Sequence, residues 1–404
     1  MSGKSILVGR VVILLGVVLV LTVGISAQTE SILHSFTNGS DGGYPEGGLV
    51  SDGKGNWYGT ASGGGTYFSG LVFELTPNSS GGWTEQVIYN FTGNSNPSDG
   101  ARPDGPLAFD AKGHLYGVTD GGGLSGAGTV FELSPASNGT WSEKILYSFQ
   151  PGTGALPYGG GLALDAAGNL YGTGAGGGAY GYGGVYELSP GANGTWTEKV
   201  IYSFQGLNDG GSPIASTPLL DNAGNVYGVT SGWGVHDYGV VYELTPGSGG
   251  TWTQKVLYSF PGTGGIQPAG NLIFDSSGNL YGTTILTAYE LIRGANGTWT
   301  EKTLHHFAGG KDGATALAGM VFDNAGNLYG TTQNGGAHRG VVYKLSLNSK
   351  GVWIEKILHQ FAVNGIDGYY PQFTSLAVDS SGNVFGVTSS GGSANGGVVY
   401  EIKP

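Results

Sequence analysis

One octapeptide pattern recurs along this chain and limits what it can fold into. Asp-x-x-Gly-Asn-x-Tyr-Gly begins at Asp52, Asp110, Asp165, Asp221, Asp275, Asp323 and Asp379, at intervals of 58, 55, 56, 54, 48 and 56 residues. His114 takes the Asn place in the second copy, and Phe385 takes the Tyr place in the last. A second pattern, Trp-x-Glu-x-x-x-Tyr-x-Phe, trails the first six copies, with Trp at 83, 141, 196, 252, 299 and 353 and Phe at 91, 149, 204, 260, 307 and 361, Gln254 taking the Glu place once and His305 and His359 the Tyr place. A fixed period of this length signals an array of equivalent units that bury their faces against one another.

Within a unit, short apolar runs alternate with Gly, Asn and Pro clusters, which is the pattern of strands and turns. The third unit reads as four strands: Gly161 to Asp165, Leu170 to Thr173, Gly183 to Leu188 and Trp196 to Phe204. The Gly-Asn pair is expected to supply the positive φ of a tight hairpin while the Asp bonds the turn amides. Seven equivalent catalytic acids make no chemical sense, so these Asp residues read as turn formers. Four antiparallel strands per unit describe a β-propeller blade. The last copy stops after its third strand, Gly397 to Ile402, while Thr29 to Phe36 matches the fourth strand Thr197 to Phe204. The fold class is therefore all-β, a seven-bladed propeller whose ring is closed by residues 29–36 completing the last blade, with 28–404 as one domain.

Composition agrees. With 82 Gly and 16 Pro the chain nears the low-complexity range, yet its period and its 23 Tyr, 15 Phe and 8 Trp argue for a packed core. Only 11% of residues are charged, and 28 acidic against 16 basic residues give a net charge of −12. Such a field repels phosphate backbones, so nucleic acid is not an expected partner. Without cysteine there is no disulfide, thiolate metal site or cysteine nucleophile. Lys4 and Arg10, the apolar run Val11 to Val23 and the small residues up to Ala27 form a secretory signal layout, cut near Ala27. The run is short of the ~20 apolar residues of a spanning helix. A secreted or periplasmic monomer with no stable membrane span after cleavage is expected.

Gly-Asn-Leu-Tyr-Gly-Thr-Thr at 278–284 and again at 326–332, Val-Val-Tyr-Glu-Leu at 240–244, Trp-Thr-Glu-Lys-Val-Ile-Tyr-Ser-Phe at 196–204 and Asp-Gly between blades closely resemble the GloVer tandem-repeat family of exported bacterial proteins. The resemblance spans the whole mature chain. It implies an extracellular location and transfers no activity and no site residues. Members often carry surface anchors, whereas this chain ends at Lys403-Pro404 without an apolar tail.

Departures from the internal consensus are where chemistry that occurs once must lie. Turns joining first to second and third to fourth strands are nearly uniform. Loops joining second to third strands and blade to blade vary, and they open on the opposite face, where a ligand is expected. That face gathers Tyr44, Tyr67, Phe68, Tyr158, Tyr180, Tyr182, Trp233, His236, Asp237, His338, Arg339, Tyr369 and Tyr370. Aromatic faces beside Asp and Arg suit sugar rings, although the same aromatics could simply pack long Gly-rich loops. His34, His305 and His359 stand where other fourth strands carry Tyr. A Tyr-like role is expected of them, since outer strands splay apart and keep these His from sharing a metal. Asp41, Asp99, Asp209, Asp312 and Asp367 precede Gly between blades and read as turn residues, one carboxylate per loop being too few for calcium. Glu143, Lys144, Glu198 and Lys199 are expected to solvate an outer edge.

Three functions compete. The first is a non-catalytic propeller that binds an extracellular glycan or protein on its variable face, with no cofactor, metal or catalytic residue. The second is an extracellular polysaccharide-active or small-molecule lyase or hydrolase, with His236 and His338 as acid or base, Asp237 orienting and Arg339 neutralising a carboxylate. The third is a structural envelope component.

Overall fold

A computed structural model describes residues 29–93, 96, 99–152, 155–337, 339–373 and 375–403, with the Ala155 side chain left aside. The signal-peptide expectation for residues 1–27 falls outside them. Each repeat forms one four-stranded antiparallel sheet, and seven sheets stand around a common axis as a β-propeller. Blade three shows the plan: Ala163–Leu164, Leu170–Gly174, Gly184–Pro190 and Trp196–Ser203, paired in chain order. The first strand is two residues long in six blades and seven long in blade five, Pro268–Phe274. In blade seven Thr29–Ser35 pairs with Val398–Lys403, from Thr29↔Lys403 to Ser35↔Val398. The N-terminal strand thus closes the ring, as expected from its match to the other fourth strands. Among the described residues no helix is long and apolar enough to cross a membrane.

The turns follow their sequence with one difference. Asp165 Oδ1 accepts from the amides of Ala167 and Asn169 (2.9 and 2.8 Å), and Oδ2 accepts from Asn169 Nδ2 at 2.8 Å. The same bonds recur at Asp221, Asp275, Asp323 and Asp379. Only the glycine of the Gly-Asn pair takes a positive φ, as at Gly168 with 86°. The Asn contributes its side-chain amide instead. Hydrogen bonds make the ionised Asp the favoured form: against the cost of burial, bonds from Asn225, Tyr227 and Ala223 hold Asp221 below the usual carboxylate range.

Packing between blades rests on aromatic rings. The Phe that follows each fourth strand meets the third-strand aromatic of the next blade: Phe91 on Phe131, Phe149 on Tyr186, Phe204 on Tyr242, Phe260 on Tyr289, Phe307 on Tyr343, Phe361 on Tyr400 and Phe36 on Phe73. Ring centroids lie 5.0–5.2 Å apart, edge-on or tilted, at every seam. A bulge in each fourth strand skips one residue in the pairing, as between Val185↔Tyr202 and Tyr186↔Val200, and the skipped Ile201 is buried. Second strands carry glycine beneath the third-strand ring: a Cβ on Gly228 would stand 2.3 Å from Tyr242 Oη.

Gly228→Ala therefore forces the Tyr242 ring out of the seam and is expected to cost about 1–3 kcal/mol in urea unfolding. Tyr242 Oη is fully buried with no hydrogen-bond partner, while Phe73 and Phe131 fill the same place in blades one and two. Tyr242→Phe should hold or raise stability, by up to about 1–3 kcal/mol. A clear loss in the same measurement would show that the hydroxyl is bonded.

Candidate functional site

The variable face does not gather its aromatics into one patch. Tyr182 and Trp233 pack edge-on with centroids 4.9 Å apart, and Tyr180, His236 and Asp237 are exposed on the same two loops. Arg339 forms a second group with its guanidinium 5.0 Å from the Tyr369 ring and 5.2 Å from the Tyr370 ring, and it donates to Tyr370 Oη. Tyr369 Oη in turn bonds Asn395. This second group is internally satisfied and braces blade six against blade seven. Tyr67 and Phe68 form the tip of the blade-one loop, Phe68 being 77% exposed. His338 lies outside the described residues, so a joint role with His236 has no geometry.

Trp233 is set apart by its backbone. It occupies the loop position held by Gly64, Gly122, Gly177, Gly335 and Gly391, all at positive φ between 70° and 94°, and it adopts φ 61° itself. A bulky residue there carries about 1–3 kcal/mol of strain that glycine avoids. The ring lies over Gly211, where a Cβ would come within 2.7 Å of it. Asp237 (63°), Tyr370 (60°) and Phe68 (55°) are likewise left-handed.

A further group at the axial end of the same face was not singled out in the sequence. Loops between blades carry Pro followed by a variable residue and often Gly: Pro45-Glu46-Gly47, Pro103-Asp104-Gly105, Pro157-Tyr158-Gly159 and Pro371-Gln372. Their backbones abut around the axis, since a Cβ on Gly47 would meet Gly105 O at 2.2 Å and one on Gly105 would meet Gly160 O at 2.3 Å. Asn271 spans several blades there, accepting from Thr217 N at 2.8 Å and donating to Ser375 Oγ at 3.0 Å. Burial, with the nearby charges of Asp120 and Glu46, pushes the Asp104 carboxyl up to about 7. Burial likewise raises Glu46, whose Oε1 accepts from Gln372. Arg102 holds Asp120 at 2.8 Å. Neither Glu46 nor Asp104 stands out in the sequence; the signal that points to them is the repeated Pro-x-Gly spacing with an acid at its centre in the first two copies.

Clefts also open on the uniform face. One of about 570 Å³ lies between blades seven and one, lined by Trp57, Trp83, Phe385, Asp379 and Glu401, with Trp57 and Phe385 rings 4.6 Å apart. Trp57 stands where other second strands begin with Leu or Val, so two departures from consensus meet there. A cleft of about 430 Å³ on the variable face is lined by Asp120, Leu156, Tyr158 and Gly176.

The seams hold a polar layer outside the aromatic one. Tyr202 Oη donates to Asp209 at 2.9 Å and Tyr89 Oη to Asp99 at 3.2 Å. His305 and His359 bond Asp312 and Asp367 at 3.0 and 3.2 Å, and His34 lies 3.4 Å from Asp41. Each His also packs edge-on against the Phe two residues on, so these three do replace Tyr as expected. The Asp residues fold their loops by accepting main-chain amides, Asp99 from Thr92 N at 2.7 Å and Asp367 from Ala362 N at 2.8 Å. The outer-edge expectation for Glu143 and Glu198 is corrected. Strand alternation turns these Glu toward the preceding blade, where Glu143 meets Tyr89 and Asp99, while Lys144 reaches out to Gly194 O at 2.7 Å. Burial, and then the charge of Asp99, push Glu143 up to about 7.

A carboxyl raised from 4.5 to about 7 stabilises the fold below its unfolded value and loses that contribution as pH rises through about 7. Glu85 is raised to about 7 by burial and by Asp41 and acts in the same direction. Melting temperature should therefore fall between pH 5 and pH 8, and Glu143→Gln should melt higher than the unmodified chain at pH 8 with a shallower decline. A melting temperature that rises over this range would contradict the assignment.

Comparison with known proteins bears on the fold more than on the site. No curated protein matches the sequence. Virginiamycin B lyase from Staphylococcus aureus superposes with a TM-score of 0.56 at 13% identity, covering 93% of this chain and 99% of the lyase. The extracellular domain of a hybrid two-component system from B. thetaiotaomicron gives 0.59 at 14% identity, over 94% of this chain and 42% of that one. A protein from Lactobacillus plantarum gives 0.53 at 17% identity, over 79% and 85%. Likeness at such identity shows a shared propeller fold alone. The model of the Gloeobacter/Verrucomicrobia repeat matches residues 15–216 and 137–295, more than half of the sequence. Together with the seven repeats and seven blades, this match makes the chain a member of the Gloeobacter/Verrucomicrobia repeat family.

Proposed function

We propose that this chain is an exported, non-catalytic binding propeller, and that its variable face holds an extracellular glycan against Trp233 and Tyr182. The observation that carries the reading is the strained Trp233, a large ring kept at a position where five other repeats hold glycine. Strain of this kind persists where the surroundings over-determine it, and it concentrates at ligand-binding sites. The half-buried ring beside Tyr182 offers an apolar surface for the C–H face of a sugar, and exposed His236 and Asp237 offer hydrogen bonds to its hydroxyls. Tyr180 extends the same surface on the blade-three loop. Tyr67 and Phe68 could extend contacts to blade one, while Arg339, Tyr369 and Tyr370 serve the loop framework.

Glu46 and Asp104 favour a second reading, an extracellular lyase or hydrolase acting on a polysaccharide. An Asp104 carboxyl raised to about 7 can hold a proton near neutrality and deliver it as a general acid. Asp104→Asn should then abolish turnover without affecting retention on the same polysaccharide.

Trp233→Gly separates stability from binding. Relief of the left-handed strain should leave its melting temperature equal to or above that of the unmodified chain, while retention in a glycan array and polysaccharide pull-down falls at least tenfold. Unchanged retention by the variant would remove Trp233 from the site. Failure of the folded, unmodified chain to bind any glycan would count against the sugar reading and favour a protein partner.

A further inference from the structure

Among the described residues, two seams bring a His, an Asp and a Glu close enough to share one ion. At the seam between blades five and six, His305 Nε2 stands 3.0 Å from Asp312 Oδ1 and 3.5 Å from Glu355 Oε1. At the seam between blades six and seven, His359 Nε2 stands 3.2 Å from Asp367 Oδ2 and 3.5 Å from Glu30 Oε1. In each cluster one ligand atom from each residue lies within 4.8 Å of the other two. The His comes from a fourth strand, the Asp from the following inter-blade loop, and the Glu from the fourth strand of the next blade. His34, Asp41 and Glu85 repeat the residue types at the seam between blades seven and one, with a looser His–Asp distance of 3.4 Å.

We propose that the His305–Asp312–Glu355 and His359–Asp367–Glu30 clusters are zinc sites that clamp adjacent blades, with water completing each coordination shell. Tetrahedral zinc with ligands at about 2.0–2.2 Å sets its ligand atoms about 3.4 Å apart, close to the separations around each imidazole. One imidazole nitrogen with two carboxylate oxygens is a ligand set that zinc accepts, and the fourth position stays open to solvent because both His side chains are about one-fifth exposed. A second observation concerns the Glu. Oε1 of Glu30 and Oε1 of Glu355 are shut off from solvent and accept no hydrogen bond; Glu85, Glu143 and Glu198 leave the same atom bare at their seams, and at the seams of Glu30 and Glu355 a His nitrogen and an Asp carboxylate both stand within reach of it. A single Nε2 proton cannot serve both carboxylates of its cluster, whereas one divalent cation bonds all three groups. Each cluster holds a single His; the other ligands come from the loop and from the strand of the next blade.

The second site has a particular place in the ring. Glu30 lies on Thr29–Ser35, the strand that closes the propeller, so metal at His359 and Asp367 would fasten the N-terminal strand of blade seven to blade six. The clamp works across a seam independently of any ligand on the variable face, and it neither needs nor tests the glycan reading.

The experiment is zinc titration of the tag-free, chelator-stripped chain by calorimetry, with melting curves at 100 μM ZnCl2 and after EDTA. His305→Tyr and His359→Tyr install the residue that fourth strands of the other seams carry, so both variants keep the packing against Phe307 and Phe361. The unmodified chain should bind at least two equivalents saturably and melt higher with zinc. Each single variant should lose one equivalent, and the double variant should lose both together with the zinc-dependent shift. Glu30→Gln should weaken zinc at the closing seam at least tenfold while leaving the His305 site intact. Absence of saturable binding, or a double variant that binds as the unmodified chain does, would overturn the proposal.

Discussion

Every blade of this propeller depends on one contact, the meeting of a fourth-strand Phe with the third-strand aromatic of its neighbour. A four-stranded sheet has two faces and cannot bury both by itself. The Phe204–Tyr242 pair and its six counterparts solve this in the same way seven times. Truncating a buried Phe in such a position costs about 3–5 kcal/mol, and a closed ring shares that load without a weak end. The glycine under each third-strand ring and the bulge in each fourth strand are consequences of the contact. Both let a large ring lie flat across a seam that is otherwise filled with Leu and Val.

Outside the aromatic layer, five of the seven seams set a Tyr or His against a loop Asp, and six bring in a Glu from the next blade, Gln254 taking its place in blade four. The layer is laid down by repeat logic, so it looks structural in most seams, with Tyr89 and Asp99 as the plain version. Where Tyr becomes His, identical backbone geometry places a metal-type nitrogen among carboxylates. A small substitution within a repeated frame thus changes what the position can do chemically without changing what it does mechanically.

The two faces of the ring divide the labour differently. On one face, Asp-x-x-Gly-Asn turns consume their own carboxylates in hydrogen bonds, so those acids are held ionised and occupied. On the other, loops of unequal content surround an axis packed by glycine backbones and cross-braced by Asn271. Glu46, Asp104 and Asp120 gather at that level, where burial and then the charges of Asp120 and Glu46 raise the Asp104 carboxyl. Trp233 and Asp104 sit in environments that cost the fold something, one through backbone strain and one through burial of a carboxyl. Arg339 and Tyr370 differ in that their polar atoms bond each other, although Tyr370 shares the left-handed backbone of Trp233.

Blade number, strand order and ring closure were legible from sequence because each is carried by a repeated local signal. Asp and Gly at fixed spacing set a turn, alternation sets a strand, and a missing fourth strand at one end matches a surplus strand at the other. The turn role of Asp165 and the Tyr-like role of His305 could be read in the same way. What escaped was every relation between blades. Glu143 was expected in solvent because strand alternation says that it faces away from Lys144 but not what stands on that side. Glu46 and Asp104 become neighbours only when blade one packs on blade two, and Glu30 and His359 only when the ring closes. Trp233 was visible as a departure from glycine, but its left-handed backbone and its contact with Tyr182 required the loop to be built. The sequence by itself determined the repeated unit and its count, since both follow from local periodicity. Only the tertiary structure decided which side chains share a seam or a rim, because those contacts arise from the curvature that brings blade seven back to blade one.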